Sequence, residues 1–495
     1  MRRLDPAVAM LGAIALALAF PKTGQAWLAP FGGACLVWAW QRLSPAAAFF
    51  TGWLAGTLFF SIGFSWFSYT VGNSVGRFAF AVVLVPALVE ALAFAVSGLL
   101  TSFAARRAPL WAFPAAAACA FAVMEMARSI GPLAVPFAQI GYSQTNTPLA
   151  VFAAYIGSYG VTFIVMLLGA AIAQAIEIRR VRLLAVTVAL IAGAWMAAYW
   201  FWPARHFATP SIRVAAVQGN VKQSIKWEPT TVRLSIHRYL ALTARLASLH
   251  PKLVVLPETV IAEVLNADPA LVVRLSALAR SLHTRLIVGS LESAGTTQYN
   301  ALYTFDPQGR LQSIYRKRQL VPFAEDFPGR RWLRRLPNAD LISTFGAGTQ
   351  DTVISAGGTS FAPLICWESA FADLVHAQVS RGAQVLVIAT DDAWFGETSG
   401  TFQHAQIAQM RAIENGMWAL QSASTGISGV IAPDGTWIQY TPLDREALLV
   451  ANVGAPPGSI FARIGPAPVV AGFGLFYAGV MLWGSLRRKR RNGDA

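Results

Sequence analysis

The strongest constraint on this chain is its series of long apolar runs. Candidate spans lie at 7–21, 25–41, 46–71, 78–103, 109–127, 147–175, 182–202 and 463–485. Each approaches the ~20 apolar residues an α-helix needs to cross hydrocarbon. The first run, Val8 to Phe20, follows Arg2 and Arg3 and has the outline of a secretion signal. Ala19-Phe20-Pro21-Lys22 is a poor small-residue cleavage site and many spans follow, so the run reads as a retained first helix. Only Pro21 to Gly24 separate it from the second run, which suggests a tight helical hairpin, the alternative being a re-entrant or interfacial pair.

Composition agrees with a membrane protein. Apolar residues make up 55% of the chain and charged residues only 13%, about half the usual share, and the mean hydropathy is +0.49. The formal charge of +15 would suit nucleic acid, but the basic residues cluster at the ends of apolar runs. That placement fits anionic lipid head groups instead, and nucleic acid is not an expected partner.

Those charges also give an orientation. Arg2 and Arg3, Arg42, Arg106 and Arg107, Arg179, Arg180 and Arg182, and the tail Arg487-Arg488-Lys489-Arg490-Arg491 all fall on one side if there are eight crossings. The positive-inside tendency makes that side the cytoplasm. Outside then lie 72–77, 128–146 and the long segment from about 204 to 461, and losing one span would break the parity. The Pro/Gly-rich segment 128–146 is too polar to span and reads as an outer loop. Glu125 and Arg128, one turn apart, read as an interfacial ion pair, and Trp66, Trp200 and Trp202 as interfacial belt residues.

From Ser211 the pattern changes to short β-like runs alternating with amphipathic helices. Strands are expected at Ile212–Gln218, Leu253–Leu256, Arg285–Ser290, Tyr299–Phe305, Val353–Ser355, Ser360–Cys366, Val385–Ala389, Trp418–Ser424, Gly429–Ala432 and Leu448–Val453. Helices are expected at Thr231–Leu249, Leu271–Leu282, Phe371–Ser380 and Phe402–Asn415. This is a single α/β domain with helices covering sheet surfaces.

Several of these elements end in polar groups. Glu258 closes Val254-Val255-Leu256-Pro257-Glu258. Lys317 sits in Tyr315-Arg316-Lys317-Arg318, with Glu325 downstream. Cys366 ends an apolar run and precedes Trp367-Glu368. Asp391-Asp392-Ala393-Trp394 closes another strand, and Gln403-His404 starts a helix that also carries Arg411 and Glu414. Polar groups at strand ends along one sheet edge are a usual origin of an active site. A carboxylate can take a thiol proton, the thiolate can attack an acyl carbon, and an ammonium can oppose the charge that develops on oxygen. Plainer readings stand beside this one. Cys366, the sole thiol of the domain, also reads as a small buried hydrophobe, Glu258 as a surface turn residue and Lys317 as basic surface. Arg411 and Glu414 read as an intrahelical pair, and His404 is an alternative base for the thiol. The six histidines show no metal-ligand spacing.

The windows Leu256-Pro257-Glu258-Thr259, Tyr315-Arg316-Lys317 and Leu364-Ile365-Cys366-Trp367-Glu368 resemble the Glu, Lys and Cys motifs of the carbon–nitrogen hydrolase, or nitrilase, superfamily, in the right order. Together with seven preceding spans and one following, the whole chain resembles its membrane-bound members, the apolipoprotein N-acyltransferase family. The resemblance implies an eight-helix transmembrane bundle plus an α/β nitrilase-like α-β-β-α sandwich. The expected divisions are 1–203 for seven helices, 204–461 for a periplasmic catalytic domain, and 462–495 for the last helix and a basic cytoplasmic tail. It implies a multi-pass protein of the bacterial inner membrane with both termini cytoplasmic, acting as a monomer without a cofactor or metal. Its implied partners are a phospholipid acyl donor, a diacylglyceryl-apolipoprotein acceptor and membrane lipids.

The resemblance assigns Glu258 as general base, Lys317 as oxyanion stabiliser and Cys366 as the nucleophile that carries a thioester. It assigns Glu325, Glu368 and Trp227 supporting roles, includes Trp394 and His404 in further matching windows, and matches Tyr142-Ser143-Gln144 to an outer-loop motif. Trp367 stands where the family usually has Tyr, so a role needing that hydroxyl is in doubt; Thr401 and Met417 are further departures. A water-excluding cover over a thioester is also expected, with Leu336 to Gly348 as the candidate segment.

Overall fold

The computed structural model describes residues 4–70, 76, 79–326 and 345–493, without the side chains of 80, 82 and 488–493. Arg2, Arg3, most of the loop 72–77 and the 336–344 part of the expected cover lie outside the described residues. The chain divides into two compact units, Met1–Trp202 with Arg463–Ala495, and Pro203–Ala462.

The first unit is helical. Its helices are α1 (Asp5–Leu18), α2 (Leu28–Arg42), α3 (Pro45–Gly63), α4 (Ala79–Arg107), α5 (Phe113–Ala127), α6 (Ala153–Ile178) and α7 (Arg182–Trp200), with Pro466–Gly493 at the C-terminal end. Among the described residues, five stretches are long and apolar enough to cross a membrane: Pro45–Gly63, Val83–Arg107, Pro148–Ile178, Arg182–Trp200 and Pro466–Arg487. This is a multi-span membrane region. The helices at the first, second and fifth expected spans are shorter, at 14, 15 and 15 residues. At 1.5 Å per residue each reaches only about 21–23 Å, against a hydrocarbon core of about 30 Å.

Small residues bring α3 and α4 into close contact. A Cβ at Gly52 would lie 2.5 Å from the Phe94 carbonyl oxygen, and one at Gly56 would lie 2.8 Å from Phe94 Cβ. Around this contact Phe59, Phe60, Phe94 and Phe121 pack ring against ring.

Two expectations for this unit are corrected. Arg128 is not part of a simple interfacial pair. It is buried, with Nη1 3.1 Å from Glu90 Oε2 and Nη2 3.6 Å from Glu125 Oε2. It also donates to the carbonyls of Val135 at 2.7 Å and Phe137 at 2.9 Å, while the Val135 amide donates to Glu90 Oε1 at 2.9 Å. The network folds the segment after α5 back onto α4, and spacing could not reveal it because Glu90 comes from another helix. Trp66, expected at the interface, is 2% exposed and packs on Phe67 and Phe137. Trp200, by contrast, is 74% exposed.

The second unit is built on two sheets. Its strands are β1 (Ile212–Gln218), β2 (Leu253–Val255), β3 (Ile261–Val264), β4 (Arg285–Ala294), β5 (Thr297–Phe305), β6 (Leu311–Arg316), β7 (Ile354–Ala356), β8 (Thr359–Ile365), β9 (Val385–Thr390), β10 (Trp418–Ala423), β11 (Gly429–Ile431), β12 (Trp437–Tyr440) and β13 (Ala447–Val453). One sheet runs β13-β1-β2-β4-β5-β6, with β3 paired to β4, and the other runs β12-β11-β10-β9-β8-β7. β1, β2 and β4 are mutually parallel, as are β8, β9 and β10. Helices α8 (Pro229–Ala244) and α9 (Pro269–Leu282) connect the first set, and α10 (Ala372–Val379) and α11 (Ser399–Asn415) the second.

Layering follows from burial. Every residue from Val214 to Gln218, and from Val385 to Thr390, is fully buried, which requires cover on both sheet faces. On one face of the first sheet, Ala215, Val217, Val254, Leu286 and Val288 pack on Ile236, Tyr239, Leu271 and Leu275 of α8 and α9. The other face meets the second sheet, where the Ser422 hydroxyl donates to the Val255 carbonyl at 2.8 Å and Ser428 donates to Gln218 Oε1 at 2.7 Å. A helix–sheet–sheet–helix sandwich results, with the parallel strands of each sheet at its centre.

Replacing Arg128 with Met should leave two buried carboxylates without their counter-charge. A loss of roughly 3–5 kcal/mol is expected, read as a lower melting temperature of the detergent-solubilised protein. An unchanged melting temperature would contradict the pinning role given to this network.

Candidate active site

Glu258, Lys317 and Cys366 all follow directly on strands. After β2 the chain makes one more sheet bond, Leu256 N to Ile287 O at 2.9 Å, and Pro257 then turns it out so that Glu258 leaves the strand's carboxyl end. Thr259 follows at φ 45°, an outlying backbone for a β-branched residue. Room for this turn comes from Gly289 in the middle of β4. A Cβ there would lie 2.1 Å from the Pro257 carbonyl oxygen and 2.7 Å from Glu258 Cα.

Lys317 extends β6 by one residue, its amide donating to the Asn300 carbonyl at 2.8 Å. Its side chain is buried. Nζ lies 3.0 Å from Glu258 Oε1 and 2.9 Å from Glu325 Oε2. Asn300, from β5, donates to the same two carboxylates, at 2.7 Å to Glu258 and 3.0 Å to Glu325. The second oxygen of Glu258 accepts the Asp391 amide at 2.9 Å.

Cys366 is the first residue after β8 and opens the 3₁₀ turn Cys366–Ala370. Its φ is 47°, in the left-handed region, a strained conformation that persists only where surroundings enforce it. The enforcing contacts can be named. Glu368 Oε2 accepts the Ile365 amide at 2.7 Å and the Tyr315 hydroxyl at 2.9 Å, and Glu368 Oε1 accepts the Arg318 amide at 2.6 Å. Glu368 therefore ties the cysteine turn to the segment carrying Lys317. Ser369 Oγ donates to the Cys366 carbonyl at 2.9 Å, and His404 Nε2 lies 3.1 Å from the same oxygen. His404 Nδ1 lies 2.9 Å from Asp392 Oδ1, which also accepts the Thr390 hydroxyl at 2.6 Å.

The thiol of Cys366, a carboxylate oxygen of Asp392 and a ring nitrogen of His404 lie within 4.8 Å of one another, a set of metal-ligand type. Both His404 nitrogens are already hydrogen-bonded, so the geometry reads as bracing of the cysteine backbone. The same contacts argue against His404 as the thiol's base.

Protonation follows from burial and neighbours. Burial and the Glu258 carboxylate push the Cys366 thiol well above its ordinary value, with Lys317 and a hydrogen bond with Thr390 opposing them. Burial alone would raise Glu258, but Lys317 outweighs it and holds the carboxyl below its ordinary value. Burial likewise works against the charge of Lys317, and the carboxylates of Glu258 and Glu325 reverse this, holding it well above the ordinary lysine range. Burial pushes Glu368 up to about 7, against its backbone hydrogen bonds. The site at rest thus holds a neutral thiol, an ionised carboxylate and an ammonium.

The other candidates fall in different places. Trp227 and Trp394 are 47% and 38% exposed. Trp367 is buried and packs on Phe371 with ring centroids 6.5 Å apart. Tyr142 belongs to the helical unit, buried in the 3₁₀ segment Ile140–Gln144. Sequence reasoning missed Asn300 and Lys226. An asparagine immediately before the apolar run Ala301-Leu302-Tyr303 was the available signal for the first.

The family model described as carbon-nitrogen hydrolase matches residues 213–455, and that described as apolipoprotein N-acyltransferase N-terminal domain matches 12–171. The apolipoprotein N-acyltransferase of Methylococcus capsulatus is 33% identical over 99% of this chain and 97% of its own length. The chain belongs to the apolipoprotein N-acyltransferase family. It is a membrane-associated acyltransferase with a nitrilase-like domain. The family's enzyme from Coxiella burnetii is 31% identical over 91% of this chain and 94% of its own. An amidase of solved structure from Nesterenkonia sp. aligns with 54% of this chain and 98% of its own at 21% identity and a TM-score of 0.41.

A thiol raised above its ordinary value gains thiolate as pH rises. Alkylation of Cys366 by iodoacetamide should therefore accelerate about tenfold per pH unit through the neutral range. A plateau reached below neutral pH would show a preformed thiolate and contradict this reading.

Proposed function

We propose that this chain moves a fatty acyl group from the sn-1 position of a phospholipid to the α-amine of the N-terminal diacylglyceryl-cysteine of an apolipoprotein, through a thioester on Cys366. The observation that carries the reading is the buried contact of Glu258 with Lys317 at 3.0 Å, with both charges acting on one neutral thiol. The substrate class is supported by family membership and by the membrane-spanning region. Eight crossings, the divisions 1–203, 204–461 and 462–495, a periplasmic catalytic domain and cytoplasmic termini belong to the same proposal. Arginine placement supports them.

Chemistry follows from the resting charges. Glu258 takes the thiol proton as sulfur attacks the ester carbonyl, so one negative charge passes from the carboxylate to the developing oxyanion. Protonated Glu258 holds Lys317 less tightly, and the ammonium, still oriented by Glu325, is drawn to the oxygen that has gained the charge. When the intermediate collapses, the lysophospholipid alkoxide leaves with the proton from Glu258 and the acyl group stays on sulfur. In the second half, the amine attacks the thioester, Glu258 accepts its proton, and the proton returns to the departing thiolate. An amide has replaced an ester, so no further energy source is needed.

Beside the site, the described end of the proposed cover is anchored. The Phe345 amide donates to the Glu325 carbonyl at 2.9 Å and the Gly348 amide to the Lys317 carbonyl at 2.7 Å. Movement of that segment would thus act directly on Lys317 and on Glu325, one of the two carboxylates that hold its ammonium.

In vesicles containing a synthetic diacylglyceryl-cysteine peptide, the purified protein should yield lysophospholipid and N-acylated peptide in equal amounts. Glu258→Gln should lower the rate by about 10²–10⁴. Release of free fatty acid without N-acylated peptide, or ammonia release from small amides instead, would contradict the proposal.

A further inference from the structure

A second buried lysine lies beneath the proposed base. Lys226 stands in the loop between β1 and α8 and is 3% exposed. A lysine in such a place has to satisfy three N–H groups and a charge without water. Here Nζ donates to Thr259 Oγ1 at 2.6 Å and to the Glu258 carbonyl at 3.4 Å, and pairs with Asp391 Oδ2. Asp391 is held in turn by the Ser424 hydroxyl on its other oxygen, and its amide is the group that donates to Glu258 Oε2.

The three contacts join the first sheet to the second. Glu258 and Thr259 follow β2, Asp391 follows β9, and Thr259 carries the strained φ of 45°. One ammonium thus grips the peptide that aims Glu258 and the carboxylate of the residue whose amide steadies Glu258's far oxygen. Lys317 holds the near oxygen, leaving Lys226 as the counter-charge for Asp391.

We infer that Lys226 is a positioning residue for acyl transfer. It aims the Glu258 carboxylate and, by neutralising Asp391, keeps that carboxylate able to accept a proton from the thiol. The inference rests on the proposed role of Glu258 as base. The charged and titratable groups facing Glu258 are Lys317 and Glu325 after β6, Cys366 after β8, Asp391 after β9, Lys226, and His404 of α11. Asp391 is itself raised, by burial first and by the Glu258 carboxylate, with Lys226 opposing both. Without Lys226, two carboxylates joined through one amide lose the charge between them, and Glu258 ionises less readily.

The test is a titration of Glu258 on the full-length free protein, which needs no acyl donor. The carboxyl stretch that Glu258→Gln removes from the infrared difference spectrum gives the midpoint. Lys226→Met should raise that midpoint by about one pH unit or more, and the acid limb of single-turnover acyl-enzyme formation should move with it. Lys226→Met combined with Asp391→Asn removes both charges, folds more readily than the single variant, and should return the midpoint most of the way to wild type. An unshifted midpoint in Lys226→Met, or a shift that the double variant leaves in place, would overturn the inference. Absence of acyl-enzyme in the wild type would instead count against the proposed function, since the infrared midpoint is read independently of it.

Discussion

Lys317 and the two carboxylates that hold it are the interaction on which the rest of the site depends. An ammonium removed from water costs several kcal/mol unless charge and hydrogen bonds replace its hydration. Glu258 and Glu325 supply the charge, and Asn300 fixes both carboxylates at the correct spacing. The cluster carries more negative than positive charge, so in the proposed mechanism Glu258 would accept a proton without collapse of the arrangement. A lone buried pair would lose its attraction on that proton transfer. On the proposed mechanism, Glu325 would keep the ammonium charged and in place while Glu258 changes state.

The sandwich exists to bring such groups together from distant parts of the chain. Two sets of parallel strands end at the same edge, and their carboxyl ends deliver Glu258, Cys366 and Asp391. Close approach is bought locally by Gly289, which leaves space for the Glu258 turn, and by the left-handed backbone at Cys366. Glu368 then binds the cysteine turn to the lysine segment through Tyr315 and backbone amides. Trp367, which stands where a tyrosine is usual, is buried against Phe371 and contributes packing.

What was legible in the sequence follows from what each signal measures. Uninterrupted apolar runs mark strands buried on both faces, so β2, β8 and β9 and the polar residues that end them could be read directly. β3, β6 and β12 could not: they are short or lie at sheet edges, half exposed, and their residues follow no clear alternation. The contacts of Asn300 with Glu258 and of Lys226 with Asp391 could not be read because the partners lie 42 and 165 residues away. In the helical unit, hydropathy located the apolar runs but not the helix ends: α1 stops at Leu18, and α2 and α5 begin at Leu28 and Phe113, inside their runs. Glu90 escaped for the same reason as Asn300, being a buried polar group whose partner sits on another element.

The central claim is that Cys366 carries the acyl group. Intact-protein mass spectrometry after incubation with phospholipid and no acceptor tests it most directly. The account predicts one fatty-acyl mass increment on Cys366, removed by hydroxylamine and absent in Cys366→Ala. An unmodified Cys366 in protein that still transfers acyl groups to an amine would contradict it.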